Sequence, residues 1–333
     1  MRLLVLGGTR FVGRAVVEEA LRRGDQVTTV NRGVSGTPAA GARAIHVDRT
    51  DHDALAASLG DDEWDAVIDT WSSAPCVVRA SASLLADRVG HYGYVSSRSV
   101  YRWPMPSGLD ESAPVVDGDP ASTDDSDYAA AKRGAELAAL EAFPDRALLA
   151  RAGLVLGPYE NVGRLPWWLG RTSRGGRVLA PGPQDRQLQY VDARDLAAWM
   201  LDAAQRGLGG AFNAVSKPGH TTIGELLATC NDVTGRHSEL VWVPAEAIEA
   251  AGLSGWTQLP IWVPPTGELA GLHDGDVSAA HAEGLRCRPM NETVADTWLW
   301  LQDEGFPPPM GNRPVVGLDP DLEQRVLDAL TRK

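Results

Sequence analysis

The side chains best suited to acid–base chemistry are those of Tyr128 and Lys132, which three alanines separate. On a helix, residues four apart lie on one face, so the phenol and the ammonium can share one site. A free tyrosine ionises at about pH 10, and a neighbouring positive charge stabilises its anion and lowers that value. The pair therefore predicts a phenol that exchanges a proton near neutral pH, although the same spacing also occurs on ordinary surface helices.

A run of hydroxyl side chains lies upstream of this pair. A predicted strand over Tyr92 to Ser96 continues into Ser97, Arg98 and Ser99. The carboxyl ends of parallel strands are where an open α/β sheet carries its chemistry, so one of these serines is positioned to donate a hydrogen bond to a substrate carbonyl. Serines are also common in turns, so this interpretation depends on the order of the motifs along the chain.

A glycine-rich turn follows the first predicted strand, Leu3 to Leu6, and opens a helix over Val12 to Arg23. Glycines permit a tight turn and close approach to the backbone, and the start of the helix presents free N–H groups and a positive dipole end. This arrangement predicts a site for the pyrophosphate of a dinucleotide. The residues that we assign to it are Gly7, Gly8, Thr9, Arg10, Phe11, Val12 and Gly13.

The end of the second predicted strand, Gln26 to Val30, indicates which dinucleotide binds. An NAD site normally has a carboxylate here that accepts hydrogen bonds from the ribose, whereas this chain has Asn31 and Arg32. A guanidinium binds a phosphate through two parallel hydrogen bonds, so Arg32, assisted by Arg10, favours NADP(H), with NAD(H) as the alternative. Both arginines would be merely solvated in the alternative interpretation. Asp48 is a candidate acceptor for the adenine amino group, or else only a turn residue.

Short apolar runs alternate with helical stretches through the first half of the chain, which is typical of a parallel sheet covered on both faces. The sequence therefore predicts an α/β fold, a doubly wound parallel sheet (Rossmann) with a smaller C-terminal substrate-binding domain. We assign residues 1–157 to the dinucleotide-binding domain and 158–333 mainly to the substrate-binding domain, and we expect 188–215 to complete the first sheet. Further predicted elements are strands over Ala42 to His46, Ala66 to Asp69 and Ala147 to Ala152, and a helix over Asp127 to Ala142.

Composition limits the partners that we expect. The 333 residues are 44% hydrophobic and 23% charged, as in a soluble globular protein, and the net charge of −13 repels nucleic acid. The three cysteines and seven histidines are scattered without metal-ligand spacing, so we expect no metal. We expect a cytoplasmic protein without a membrane partner, because no long apolar window occurs and the chain opens on a strand with no room for a signal peptide.

With these motifs in order, the sequence resembles the extended and atypical short-chain dehydrogenases/reductases, often grouped as the NAD-dependent epimerase/dehydratase family. The resemblance covers most of the chain. It rests on Gly7 to Gly13, Ser96 to Tyr101, Tyr128 to Lys132, Arg151 to Pro158 and Arg186 to Asp195. It implies that Ser97, Tyr128 and Lys132 form a catalytic triad, with Lys132 also holding the nicotinamide ribose. Members of the family often form homodimers, so a homodimer is a candidate assembly.

Departures from the family pattern narrow these expectations. Arg10 replaces the middle glycine of the phosphate turn, as in the atypical branch that contains the chloroplast stem-loop-binding proteins, which supports NADP(H). Sugar-nucleotide dehydratases carry Thr-Asp-Glu where this chain has Ser97, Arg98 and Ser99, so we exclude dehydration. The family motif R-x-x-N-V-x-G-P corresponds to Arg151 to Pro158, where this chain does not have the asparagine. Arg186 matches an arginine that contacts the substrate phosphate in UDP-galactose epimerases, so we assign substrate binding to Ser97, Arg98 and Arg186.

These features favour an enzyme that transfers hydride between NADP(H) and a carbonyl or carbinol carbon of a small, anionic or sugar-like metabolite. Two alternatives stay open. An epimerase would use the same triad and retain its cofactor, oxidising and re-reducing one carbon. A protein of another class would use the fold as an NADP sensor or RNA-binding scaffold, although the acidic net charge and the intact triad argue against this role.

Overall fold

The computed structural model describes residues 1–34, 36, 39–308 and 315–331 of the chain. Its amino-terminal part alternates strands and helices. In chain order the elements are β1 Arg2–Leu6, α1 Phe11–Arg22, β2 Gln26–Asn31, β3 Arg43–His46, α2 His52–Leu59, β4 Trp64–Asp69, α3 Pro75–Leu85, β5 Val89–Ser97, a 3₁₀ turn Arg98–Val100, α4 Tyr128–Ala142 and β6 Ala147–Ala152.

The remaining elements are shorter and less regular. They are β7 Leu154–Leu156, α5 Arg164–Ser173, β8 Gly176–Pro181, β9 Gln187–Leu188, β10 Tyr190–Asp192, α6 Ala193–Arg206, β11 Gly210–Ala214, β12 Thr221–Thr222, α7 Ile223–Val233, β13 Ser238–Val243, α8 Ala245–Ala250, β14 Gly255–Trp256, β15 Leu259–Pro260, a 3₁₀ turn Ala270–His273, α9 Ser278–Ala282, α10 Met290–Glu304 and α11 Pro320–Thr331.

Seven strands form one large sheet in the order β3-β2-β1-β4-β5-β6-β11. All of its pairings are parallel. The chain adds β2 and β3 on one side of β1 and then continues with β4 on the other side. In open sheets of this kind, ligands bind at the carboxyl ends of the strands beside this reversal. The predicted doubly wound α/β fold is therefore confirmed.

The large sheet is buried on both faces because its central strand is apolar throughout. The residues Leu3, Leu4, Val5 and Leu6 of β1 are at most 1% exposed. Leu3 and Val5 pack with apolar residues of α1 and α6 on one face. Leu4 and Leu6 pack with those of α2, α3 and α4 on the other. Helices therefore cover both faces, as a buried parallel sheet requires.

Strand β5 begins earlier than the sequence pattern predicts and continues through Ser97. Two glycines lie within it, and each allows a neighbour to approach closely. A β-carbon on Gly93 would lie 2.6 Å from Ile68 Cδ1, and one on Gly90 would lie 2.8 Å from the Asp65 carbonyl oxygen. These glycines therefore serve packing within the sheet, and they do not end the strand.

A second core lies outside the large sheet. Helices α5, α7, α10 and α11 pack around the parallel pair of β8 and β13. Trp168 and Trp262 are among its largest buried side chains, and the Trp168 indole N–H donates to the Pro260 carbonyl over 2.7 Å. Strand β11 pairs with β6, so the chain returns to the large sheet after it has contributed α5 and β8 to the second core.

Neither a membrane helix nor a metal centre is found in the described ranges. No helix there combines the length and the apolar character needed to cross a bilayer. Within the same ranges, no three His, Cys, Asp or Glu side chains gather as metal ligands.

Candidate active site

The turn after β1 brings two pieces of backbone into close contact. Gly7 and Gly8 have φ angles of +123° and +96°, which residues with side chains rarely adopt. A β-carbon on Gly13, in the first turn of α1, would lie 2.8 Å from the Gly8 backbone nitrogen. The turn therefore requires glycine at these positions, and it leaves the backbone uncovered by side chains.

Helix α1 begins at this turn without a capping hydrogen bond from its own N-cap side chain. Arg10 occupies that position in an extended conformation and is exposed. Thr9 is buried, and Phe11 and Val12 are half-buried. Backbone N–H groups and the positive end of a helix dipole are the features that hold a phosphate. The residues of the turn thus fit the pyrophosphate of a dinucleotide.

The ends of β2 and β3 carry one positive and one negative side chain. The Asn31 carboxamide oxygen accepts from the Gly33 N–H over 2.9 Å, and Arg32 is exposed beside it. The Asp48 carboxylate accepts from the Thr50 backbone N–H and hydroxyl over 3.0 and 2.8 Å. These hydrogen bonds and the charge of Arg32 lower the pKa of Asp48. This edge therefore has a guanidinium and a carboxylate within electrostatic reach of each other.

The two serines at the end of β5 face different surroundings. Ser96 is buried, and its hydroxyl donates to the Glu136 carboxylate over 2.7 Å. Ser97 is half-buried, and its hydroxyl oxygen accepts from the Ser99 N–H while its proton is directed to the Ser99 hydroxyl, both over 3.1 Å. Of the two, Ser97 is the one accessible from the end of the strand.

Helix α4 presents Tyr128 in its first turn. The Asp127 carboxylate accepts from the Ala129 and Ala130 N–H groups over 2.9 and 3.0 Å, so Asp127 caps the helix that it was predicted to begin. Tyr128 is 44% exposed. Its ring is therefore accessible at the amino end of the helix, one turn from Lys132.

The Lys132 ammonium lies at the end of β5. It is 3% exposed and donates to the carbonyls of Trp71 and Val95 over 2.8 and 2.7 Å and to the Tyr94 hydroxyl over 3.1 Å. Val95 precedes Ser97 by two residues in β5. The structure therefore brings Ser97 and Lys132 to the same end of one strand, with Tyr128 on the helix that carries Lys132.

Sequence reasoning missed a buried ion pair next to this lysine. The Arg49 guanidinium makes two hydrogen bonds to the Asp69 carboxylate, over 2.6 and 2.7 Å. Asp69 also accepts from the Trp71 N–H over 2.9 Å. This hydrogen bond orients Trp71, whose carbonyl accepts from the Lys132 ammonium. The available signal for Asp69 was its position at the end of the predicted apolar strand Ala66 to Asp69, whereas nothing in the pattern identified Arg49.

The two arginines assigned to substrate binding lie under the segment around residues 264–275. Arg98 is 2% exposed and donates to the Leu272 carbonyl over 2.9 Å, while its Nε and Nη2 atoms have no hydrogen-bond partner among the described residues. Arg186 is half-buried and donates to the Ala270 carbonyl over 2.6 Å. Burial lowers the pKa of both guanidinium groups, and the charge of Asp274 acts on both.

The sheet order distributes the assigned residues along one edge. Arg32 and Asp48 follow the strands β2 and β3, the glycine turn follows the central β1, and Ser97 ends β5 on the other side. Arg98 and Arg186 gather separately, beneath the segment around 264–275.

One family model and several solved structures are similar to this chain. Residues 3–84 match the model of the NAD dependent epimerase/dehydratase family. The enzyme WbmH of Bordetella bronchiseptica, solved in complex with NAD+, is 20% identical and has a TM-score of 0.66 over 91% of this chain and 99% of its own. WbmG of the same organism, solved with NAD and UDP, is 18% identical with a TM-score of 0.67 over 92% and 96% of the two chains.

A third similar structure is a UDP-glucose 4-epimerase from Thermotoga maritima, solved with UDP-glucose. It is 17% identical, with a TM-score of 0.65 over 91% of this chain and 99% of its own. No curated protein sequence matches the chain at a significant level. The predicted resemblance to the NAD-dependent epimerase/dehydratase family is therefore confirmed in the sequence of residues 3–84, and nearly the whole chain shares the fold of these solved structures.

Proposed function

We propose that the chain is an NADP-dependent oxidoreductase that interconverts a carbonyl and a carbinol on a small metabolite with an anionic group. The observation that carries this proposal is the buried Lys132 ammonium, fixed at the end of β5 one helical turn from the exposed Tyr128. A fixed positive charge beside an accessible phenol is the arrangement that lets tyrosine exchange a proton near neutral pH.

The cofactor would lie along the carboxyl edge of the sheet. Residues 7–13 would hold the pyrophosphate, Asn31 and Asp48 would face the adenosine, and Arg10 and Arg32 would bind a 2′-phosphate. The glycines support this assignment because a β-carbon at Gly13 would close the turn. When bound, the nicotinamide supplies or accepts the hydride.

Ser97 and Tyr128 would act on the substrate oxygen. The Ser97 hydroxyl already accepts from the Ser99 N–H, so its proton can turn from the Ser99 hydroxyl to a carbonyl oxygen without loss of that bond. Such a donor stabilises negative charge as it develops on the oxygen. Tyr128 would deliver the proton in the reducing direction and remove it in the oxidising direction, with the charge of Lys132 stabilising the phenolate.

Arg98 and Arg186 support an anionic substrate. Buried guanidinium N–H groups without partners are unfavourable, and an incoming phosphate or carboxylate would satisfy them. Atoms of this kind occur on both side chains, Nε and Nη2 of Arg98 and Nε of Arg186, within the described residues. Asp274 acts electrostatically on both arginines, so a substrate anion would bind in a field that is only partly neutralised.

An epimerase is the second candidate, because one of the similar structures is a UDP-glucose 4-epimerase. An epimerase restores its cofactor in each turnover, whereas a reductase consumes NADPH in a one-to-one ratio with substrate. Absorbance at the NADPH band, followed during turnover, separates the two reactions.

The proposal is tested by titrating the purified protein with NADPH and NADH and by measuring NADPH oxidation with a panel of carbonyl compounds, with and without an acidic group. Binding of NADPH and its oxidation by acidic carbonyl compounds are expected. If neither dinucleotide bound, the oxidoreductase proposal would be wrong.

Replacement of Arg32 with glutamine tests the cofactor preference. Loss of one charged contact with the 2′-phosphate is expected to weaken NADPH binding about tenfold and to leave NADH binding nearly unchanged. Arg43→Gln is the matched control. Arg43 is an exposed arginine at the amino end of β3, opposite the carboxyl ends of the strands, and it pairs with Asp62. Equal weakening of both dinucleotides by Arg32→Gln would contradict a role in recognising the phosphate.

A further inference from the structure

The Lys132 ammonium donates to at least three oxygen atoms, two of the backbone and one of a side chain. These are the carbonyls of Trp71 and Val95 and the Tyr94 hydroxyl, the last over 3.1 Å. An ammonium has three N–H groups, so these acceptors are sufficient for all of its donors. Of these three acceptors, the Tyr94 hydroxyl belongs to a side chain, so a substitution can remove it.

The Tyr94 hydroxyl is itself held in one orientation. Tyr94 is fully buried, and its O–H donates to the Trp71 carbonyl over 3.0 Å, which leaves its lone pairs for Lys132. Burial and the nearby Asp69 charge raise the pKa of Tyr94 well above its usual value, and the negative charge of Tyr128 acts in the same direction. Tyr94 thus stays neutral, and its hydroxyl oxygen serves as an acceptor for Lys132.

The loop that provides the shared carbonyl is also fixed. The Trp71 N–H donates to Asp69 over 2.9 Å, and the Asp69 carboxylate is bound by Arg49. The Trp71 carbonyl consequently receives both Tyr94 and Lys132 at a defined place.

We infer that Tyr94 is a positioning residue that keeps the Lys132 ammonium charged and aligned for Tyr128, an inference that rests on the proposed function. Without the Tyr94 hydroxyl, one buried ammonium N–H loses its acceptor, which makes the charged form less favourable and lets the side chain shift. The Lys132 ammonium then stabilises the Tyr128 phenolate less strongly. The Tyr128 phenol should therefore ionise at higher pH when Tyr94 lacks its hydroxyl.

The test compares Tyr94→Phe with Tyr92→Phe. Tyr92 lies two residues earlier on the same strand and is equally buried, and its hydroxyl donates to Asp69 over 2.6 Å. Tyr92→Phe therefore removes one buried hydroxyl from the same strand, as Tyr94→Phe does. Ionisation of Tyr128 is followed by ultraviolet difference absorbance, with the same protein carrying Tyr128→Phe as the subtraction. We expect Tyr94→Phe to raise the Tyr128 midpoint by about one pH unit and Tyr92→Phe to leave it in place.

Activity gives a second readout. The rise of turnover with pH in the oxidising direction should move upward by the same amount in Tyr94→Phe, with KM for the substrate nearly unchanged. An unchanged midpoint in Tyr94→Phe, or an equal shift in Tyr92→Phe, would overturn the inference and leave the proposed function intact. If Tyr128 of the wild-type protein did not ionise below the usual tyrosine pKa of about 10, both the proposed function and this inference would be wrong.

Wild-type protein provides a measurement that needs no folded Tyr94 variant. With 15N-lysine labelling, the Lys132 ammonium, assigned by its disappearance in Lys132→Met, is expected to exchange its protons slowly because all three have buried acceptors. Rapid exchange of the ammonium protons would show that Tyr94 does not hold the Lys132 side chain, and it would also overturn the inference.

Discussion

Replacing Tyr128 with phenylalanine is expected to lower turnover by about 10²- to 10⁴-fold, the usual contribution of a positioned proton donor. The substitution removes only the hydroxyl, on a ring that is 44% exposed at the start of α4. The glycine turn and α1 are untouched, so NADPH affinity should change little. Steady-state NADPH oxidation and a fluorescence titration of NADPH measure the two effects separately.

Tyr159→Phe is the control for this substitution, because the Tyr159 ring packs under the Arg14 guanidinium and against Trp300. It should retain full turnover. A Tyr128→Phe protein that still turned over within a few fold of wild type would show that the phenol is not the proton donor. Retained nucleotide binding in a wild-type protein that oxidised no carbonyl compound would favour the NADP-sensor alternative.

Motifs whose geometry depends on neighbours in sequence could be predicted without coordinates. The glycine turn is determined by local backbone conformation, as the positive φ angles of Gly7 and Gly8 show. The helix of Tyr128 begins where a capping aspartate precedes a run of alanines, so its bounds were predicted to within one residue. For the same reason the alternation of strands and helices was sufficient to predict the doubly wound sheet.

Contacts between distant segments could not be predicted in this way. Arg49 and Asp69 are 20 residues apart, and Tyr94 and Lys132 are 38 residues apart, and each pair meets only because the chain folds into one sheet with its covering helices. Arg98 illustrates the same limit, since a position next to Ser97 does not reveal that its side chain is buried beneath residues from 270 to 275. Sequence reasoning therefore places side chains in the fold best where strand ends and helix spacing determine their position.

Replacing Asp69 with asparagine is expected to lower the free energy of unfolding at pH 7 by about 3 to 5 kcal/mol, because it leaves a buried charge without its partner. Arg49 is 7% exposed and Asp69 is fully buried. Asp69 accepts two hydrogen bonds from Arg49 and others from Tyr92 and Trp71. The amide group of an asparagine at position 69 would also place its own N–H groups against these donors, from which N–H groups cannot accept a hydrogen bond. Urea unfolding of wild type and variant measures the loss.

The pH dependence of this loss identifies its electrostatic origin. Burial disfavours the Asp69 carboxylate, but the charge and hydrogen bonds of Arg49 outweigh it and lower the pKa of Asp69. The stabilisation is therefore complete above the pKa of an unfolded aspartate, about 3.9, and is lost as the pH falls through the lower folded-state value. The difference between wild type and Asp69→Asn should accordingly shrink in acid. Asp62→Asn removes the exposed partner of Arg43 and is the control. It should change the free energy of unfolding by less than about 1 kcal/mol at any pH. Equal losses in the two variants would contradict a stabilising role for the buried pair of Arg49 and Asp69.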